Sequence, residues 1–230
     1  MARRPIFLPH AEGPRLVTEL YVDFQWFPGM SLKQKQRSVQ AFHTMARETL
    51  DVSNPLEISS KSPDELGVRL SSFNLQFITR DGRTLSVETA FQGSKVFAHG
   101  GPFRELFWKL PKEAKRDPRL QDSGPLQSFS FFGAHWPLTP RTAFYDWVYI
   151  NALLKNPALA RKILDFDAFT DIEFNPDRSV NCQARSAALY CALERSDQLA
   201  GALQSPKHFR SVHERYVPEP RHVNYHNPLV

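Results

Sequence analysis

The sequence predicts an α+β fold, mainly helical with a small β-sheet, in a single domain. Three observations carry this expectation. Short strand-like stretches gather between residues 56 and 80, an Asp81-Gly82 turn follows them, and long helix-patterned segments occupy 32–50, 139–164 and 180–194.

In chain order, residues 16–27 (LVTELYVDFQWF) alternate apolar and polar as a strand does, and Pro28-Gly29 ends them. Ser31 is placed to cap a helix from Leu32 to Leu50, whose first half carries Lys33, Lys35 and Arg37 toward solvent or phosphate; the plainer reading is a solvated face. LEISS (56–60), GVRLSSF (67–73) and LQFITR (75–80) read as short strands. SVETAFQGSKVF (86–97) reads as a short helix stopped by the Gly-Gly-Pro at 100–102. Residues 102–120 are irregular or short helices, and FSFFG (129–133) is a strand. The helical stretch at 139–164 is interrupted at Asn156-Pro157, and a strand (FTDIEF, 169–174) and a helix (180–194) follow. From Pro206 onward the chain is rich in His, Arg and Pro and reads as an extended tail on the surface, with His213, His222 and His226 as surface imidazoles.

Composition narrows the function. The 230 residues are 41% hydrophobic, enough for a self-sufficient core, and carry a formal charge of +5, which favours anionic partners such as phosphates or nucleic acid. The two cysteines, Cys182 and Cys191, lie nine residues apart in what reads as one helix, on roughly opposite faces and too far apart along its axis to bridge, so no disulfide is expected. The N-terminal MARRPIFLPH is too short and too proline-broken for a signal peptide or membrane span, so a cytoplasmic protein without a membrane partner is expected. No zinc-type spacing, glycine-rich phosphate loop or Ser-His-Asp arrangement stands out, and neither a metal nor a cofactor is expected.

The chemistry concentrates on residues 86–97. At 100° per residue, Val87, Ala90, Phe91, Ser94 and Phe97 share one arc, and Glu88, Gln92 and Lys95 fall together beside it. A carboxylate, an amide and an amine at the edge of an apolar face are placed to line a cleft; the plain alternative is a solvated ion-pair stripe. Breaking an N-glycosidic bond builds oxocarbenium character at ribose C1′, which a carboxylate stabilises, while the leaving base needs a proton. Glu88 suits either task. A desolvated Lys95 could attack C1′ and form a Schiff base with the opened sugar.

The segment LSSFNLQFITRDGRTLSVETAFQGSKVF (70–97) resembles the signature of the NADAR family, which runs F-S-N-F, a strand, D-G-x-x, then T/S-x-E-x-x-x-Q-x-x-K-F. Asp81, Gly82, Glu88, Gln92 and Lys95 match it, and Phe97 stands one residue past the family's phenylalanine. INALLKNPALARKILDF (150–166), FTDIEF and the helix after Asn181 are similar to later family segments, so the resemblance spans about residues 56–195. It implies a NADAR-like domain over 56–204, an N-terminal extension (1–55) packed on the core and an extended C-terminal tail (205–230). It further implies an N-glycosidase removing ADP-ribose from guanine in DNA or RNA, an antitoxin to a DarT-type toxin, with Lys95 and Glu88 catalytic. Gln92, Ser72, Phe73, Asn74, Lys61, Asp171 and Asn181 are the candidate substrate contacts: Lys61 for a phosphate or, more plainly, as a solvated loop lysine, Asp171 for the ribose or a water or as a cap on a neighbouring amide, and Asn181 for the diphosphate or simply as a helix cap.

The sequence departs from the family at two places. The family's F-S-N-F reads Leu70-Ser71-Ser72-Phe73, with Ser72 for asparagine and Asn74 nearby as a substitute, and its W-G-x-G is replaced by Asn175-Pro176-Asp177, leaving Phe174, Trp136 or Trp147 as stacking rings or core packing. Two other functions stay open: an N-glycosidase of small phosphoribosyl metabolites such as riboflavin-pathway intermediates, and a non-catalytic module that binds ADP-ribose or neutralises a toxin.

Overall fold

The computed structural model describes residues 1–177 and 179–217 and has an α+β architecture. β1 (Ala2–Pro9) and β2 (Val17–Phe24) form an antiparallel hairpin over their whole length, and α1 (Leu32–Thr49) packs across it. Ser31 caps α1 by accepting the Gln34 N–H at 3.3 Å, and Val39, Phe42, His43 and Ala46, at helical spacing, are its buried stripe. Val39, Phe42 and Ala46 meet Ile6, Val22 and Phe24 in a small core of their own.

After β3 (Pro55–Glu57), the segment expected as the strand 67–73 forms a helix instead. α2 (Glu65–Arg69) is started by Asp64, whose carboxylate accepts the Leu66 N–H at 2.7 Å, and residues 71–74 turn back toward the hairpin of β4 (Gln76–Ile78) and β5 (Thr84–Ser86). The alternation of Val68 and Leu70 suggested a strand, but the Asp64 cap satisfies the helical first turn, and the local hydrogen bonds decide.

α3 (Val87–Gly93) follows at once and is shorter than the sequence suggested, because β6 (Lys95–Phe97) begins two residues later and pairs with β7 (Leu126–Phe131). Between them lie a 3-10 turn (Arg104–Trp108), α4 (Pro111–Lys115) and α5 (Arg119–Asp122). β8 (Ala134–Pro137) completes the three-stranded sheet β6-β7-β8. α6 (Ala143–Leu154) and α7 (Pro157–Lys162) break at Asn156-Pro157 as expected.

β9 (Ala168–Thr170) enters between β1 and β3, antiparallel to the first and parallel to the second, giving the sheet order β2-β1-β9-β3. The N-terminal hairpin thus shares a sheet with the strand that leads to Asp171. α8 (Gln183–Arg195) is buried along nearly its whole length between α6 and the sheet, where Phe91, Phe129, Phe144, Trp136 and Tyr149 form the main core. Cys182 precedes α8, Cys191 lies within it, and both are free and buried.

After α9 (Leu199–Ala202), residues 206–216 correct the expectation of an extended tail: they form α10 (Pro206–Tyr216). Ser205 accepts the His208 N–H at 3.2 Å and Pro206 takes the first helical position. Phe209, Val212, His213 and Tyr216 supply the apolar stripe that the basic composition masked. His213 is not a surface imidazole; only 2% of it is exposed, and its Nε2 lies 2.8 Å from Asp146 Oδ2. Asp146 also accepts the Thr142 hydroxyl at 2.7 Å and the Ser186 hydroxyl at 2.5 Å. Burial alone would raise the Asp146 pKa, but His213 and Arg185 hold it below the usual range. His222 and His226 lie outside the described residues. No helix among the described residues is long and apolar enough to cross a membrane.

Candidate active site

α3 is held at its start by a reciprocal cap. Ser86 Oγ accepts the Thr89 N–H while Thr89 Oγ1 accepts the Ser86 N–H, both at 3.1 Å. Every residue of the helix is buried, so Glu88 (4% exposed) and Gln92 (3%) are interior groups, not members of a solvated stripe. Gln92 Nε2 donates to Glu88 Oε1 at 2.9 Å, one helical turn away. Gln92 Oε1 is buried and has no hydrogen-bond partner among the described residues.

Lys95 reaches this cluster from β6 rather than from the helix. Its neighbour Ser94 is pinned from two sides, by its hydroxyl to Ala90 O at 2.7 Å and by the Ser130 N–H to its carbonyl at 2.8 Å. Gly101 crosses directly over the Lys95 carbonyl, where a Cβ would come within 2.3 Å, and its φ of +86° is open to glycine. Lys95 is 5% exposed, with Nζ 4.9 Å from the centre of the Phe91 ring. Burial pushes its pKa down to about 8; Glu88 opposes the shift and Lys115 adds to it.

Ser72 joins the cluster to a second branch. Its hydroxyl donates to Glu88 Oε2 at 3.1 Å, and its N–H donates to Gln183 Oε1 at 2.6 Å. Gln183 Nε2 in turn donates to Asp171 Oδ2 at 3.0 Å. Asp171 is buried, and burial followed by the nearby Glu57 carboxylate raises its pKa well above the ordinary value. Tyr145, from α6, stands edge-on to Phe91 at 5.1 Å; burial first, and then Glu88, push its phenol pKa well up, and Ser72 opposes them.

Of the residues singled out from sequence, Glu88, Gln92, Lys95, Ser72 and Asp171 are thus brought together. Phe73 is half-buried beside them with Lys115 Nζ 5.4 Å from its ring. Asn74 does not substitute for the family's asparagine: it is exposed, and its amide donates to Val68 O at 2.9 Å within its own turn. Lys61 is half-buried in the turn after β3, and no hydrogen bond or ion pair links its amine to the cluster among the described residues. Asn181 is not the helix cap, a position held by Cys182; its Oδ1 is buried without a described partner.

Trp136 and Trp147 lie 5.3 Å apart against Phe209, and Phe174 packs on Phe7, so these rings belong to the core and Phe73 is the ring next to the site. Tyr145, Gln183 and Lys115 escaped the sequence reading, because each comes from a helix distant in the chain and none sits in a patterned spacing. No group of three or more His, Cys, Asp or Glu among the described residues is arranged to hold a metal ion.

The arrangement supplies a buried amine with an accessible neutral form, a carboxylate fixed by two donors, and a hydrogen-bonded path from that carboxylate to Asp171. Among curated proteins no sequence matches this one. A family model described as the DarT1-associated NADAR antitoxin matches residues 2–222, which takes in the N-terminal hairpin and α10 as well as the segment 56–195. The chain belongs to that family of NADAR antitoxins.

Proposed function

We propose that the protein is an N-glycosidase that removes ADP-ribose from guanine bases of nucleic acid in the cytoplasm, reversing the product of a DarT-type ADP-ribosyltransferase. The observation that carries this reading is the desolvated Lys95 amine in one buried cluster with a Glu88 carboxylate that Gln92 and Ser72 hold.

Glu88 is the counter-charge to the oxocarbenium-like C1′ and, on taking the proton that the attacking Lys95 amine sheds, passes it to the departing base. Lys95, drawn toward its neutral form by burial, attacks C1′; the C1′–N bond breaks with its electron pair leaving on the base, and ring opening gives a Schiff base that water hydrolyses. A ribose hydroxyl is a suitable donor for Gln92 Oε1. Asp171, raised toward its neutral form, can itself donate a hydrogen bond, and Phe73 offers a ring to the base.

The test incubates the protein with an oligonucleotide carrying ADP-ribose on guanine and follows the product by mass. Wild type is expected to release ADP-ribose and to give a borohydride-trapped adduct. Glu88→Gln should slow release by at least a hundredfold, by the scale of general acid catalysis, and Lys95→Ala should lose the adduct. Tight binding of ADP-ribose with no release over hours would replace this reading by that of a binding module. Release from small phosphoribosyl metabolites alone would make it a metabolite enzyme.

A further inference from the structure

The hairpin joining β7 to β8 turns through only two residues, Phe132 and Gly133, and both have positive φ, +44° and +83°. Such a turn favours Asn-Gly, so a phenylalanine in its first position is strained. Packing does not compensate, since Phe132 is 60% exposed. It begins an aromatic ridge: Phe132 lies 5.9 Å from Phe107, Phe107 meets Trp108 edge-on at 6.1 Å, and Trp108, 44% exposed, has the Arg83 guanidinium 4.7 Å above its ring. The ridge is seated on the catalytic helix, because Phe107 fills the space beside Gly93, where a Cβ would come within 2.4 Å of it.

The same stretch is basic. Residues 104–119 hold six Lys or Arg against three acids. Lys109 and Arg119 are neutralised by Asp117, and Arg119 also by Glu105, whereas Arg104, Lys112, Lys115 and Arg116 stand exposed outside that ion-pair network. Lys115 reaches the Phe73 ring, the residue after Ser72, and so continues the face to the site.

We propose that Phe132 and Trp108, flanked by Arg83, Lys112, Lys115 and Arg116, form a face that binds a single-stranded polynucleotide without regard to its sequence. Exposed rings spaced among cations, of which Arg83 also pairs with Asp81 at 3.4 Å, suit unstacked bases and their phosphates, because every base offers a π-face and every nucleotide a charge. Bases of an intact duplex are stacked on one another and cannot take the rings. This inference rests on the proposed function for why a strand is brought here, and its test is separate from turnover.

The test measures binding of a fluorescein-labelled, unmodified 12-nucleotide DNA strand by anisotropy. Wild type is expected to bind it in preference to the matching duplex, with affinity falling steeply as salt rises. Phe132→Asn installs a favoured turn residue, so it should melt at the same or a higher temperature while binding weakens about tenfold; Trp108→Ala should weaken binding by a similar factor. Equal binding of duplex and strand, no binding by wild type, or unchanged affinity in both variants would overturn the proposal. Because the probe has no ADP-ribose, an inactive wild type that binds the strand leaves this inference standing while removing the proposed function, and turnover without strand binding does the reverse.

Discussion

Ser72 and Glu88 hold each other in both directions: the Ser72 hydroxyl donates to the Glu88 carboxylate at 3.1 Å, and the Glu88 N–H donates to the Ser72 carbonyl at 3.0 Å. The second bond fixes the backbone of α3 against the 71–74 turn, and the first fixes the side chain on that backbone. Ser72→Ala removes only the side-chain bond. It is expected to cost about 1–2 kcal/mol, leaving the fold intact, and to lower kcat about tenfold with little change in KM. Steady-state kinetics beside a urea melt checks this; an equal rise in KM would instead assign Ser72 to substrate binding.

Lys95 is a buried amine with an energetic cost of its own. Lys95→Met keeps the shape and removes the ionisable group, so it should abolish the trapped adduct while raising the urea midpoint or leaving it unchanged. A large loss of stability would make Lys95 a structural cation.

The pH dependence follows from the pKa of about 8 at Lys95. A lowered amine pKa means that the neutral, nucleophilic form grows as pH rises through 8; at pH 7 roughly one amine in ten is neutral. Adduct trapping on a short time scale should therefore rise several-fold from pH 7 to 9 and then level off. A flat profile, or one that keeps rising to pH 10.5, would contradict a desolvated Lys95.

His43 should set part of the acid stability. Burial first, then Arg47, lower its pKa from 6.5 to about 4, and its Nε2 pairs with the Thr170 hydroxyl at 2.8 Å. The unfolded chain takes up this proton between pH 6.5 and 4 and the folded chain does not, so His43 favours unfolding as pH falls through that window, by up to ~3 kcal/mol. Glu57 and Asp171, whose folded pKa values are raised, act with the opposite sign. The measurement is therefore a difference: His43→Asn should flatten the acid-side loss of stability relative to wild type.

The buried Asp146–His213 pair holds α10 to α6. His213→Ala leaves the carboxylate without that partner and should cost about 3 kcal/mol in urea unfolding, and Asp146→Asn in the same chain should recover part of the loss.

The sequence revealed more of the candidate cluster than of its setting. Glu88, Gln92 and Lys95 were legible because their spacing survives whether the segment is read as one helix or, as it is, a helix joined to a strand. Ser72 was legible from the signature, although what it does for Glu88 needed the turn that places it. Gln183 and Tyr145 were not, since a glutamine at the start of a helix and a tyrosine in an apolar run, AFYDWVYI, carry no pattern of their own. Phe132 escaped for a related reason: FSFFG reads as a strand, and only the backbone angles show that its last phenylalanine is the turn. α10 was missed because His213 counts as polar by type and is apolar by position.

The joint at Ser94 sets how relatives of this chain can differ in length. Glu88 is carried by a helix and Lys95 by a strand whose pairing to β7 is fixed at Phe129, so one residue gained or lost between them would either rotate the carboxylate away or slide the amine out of register. The β4–β5 hairpin leaves from beside Ser72 and returns to the start of α3, so its tip at 79–83 can lengthen or shorten without moving either end. Insertions and deletions in the family should therefore gather at that tip, and the seven-residue step from glutamate to lysine should stay constant however far the rest of the sequence drifts.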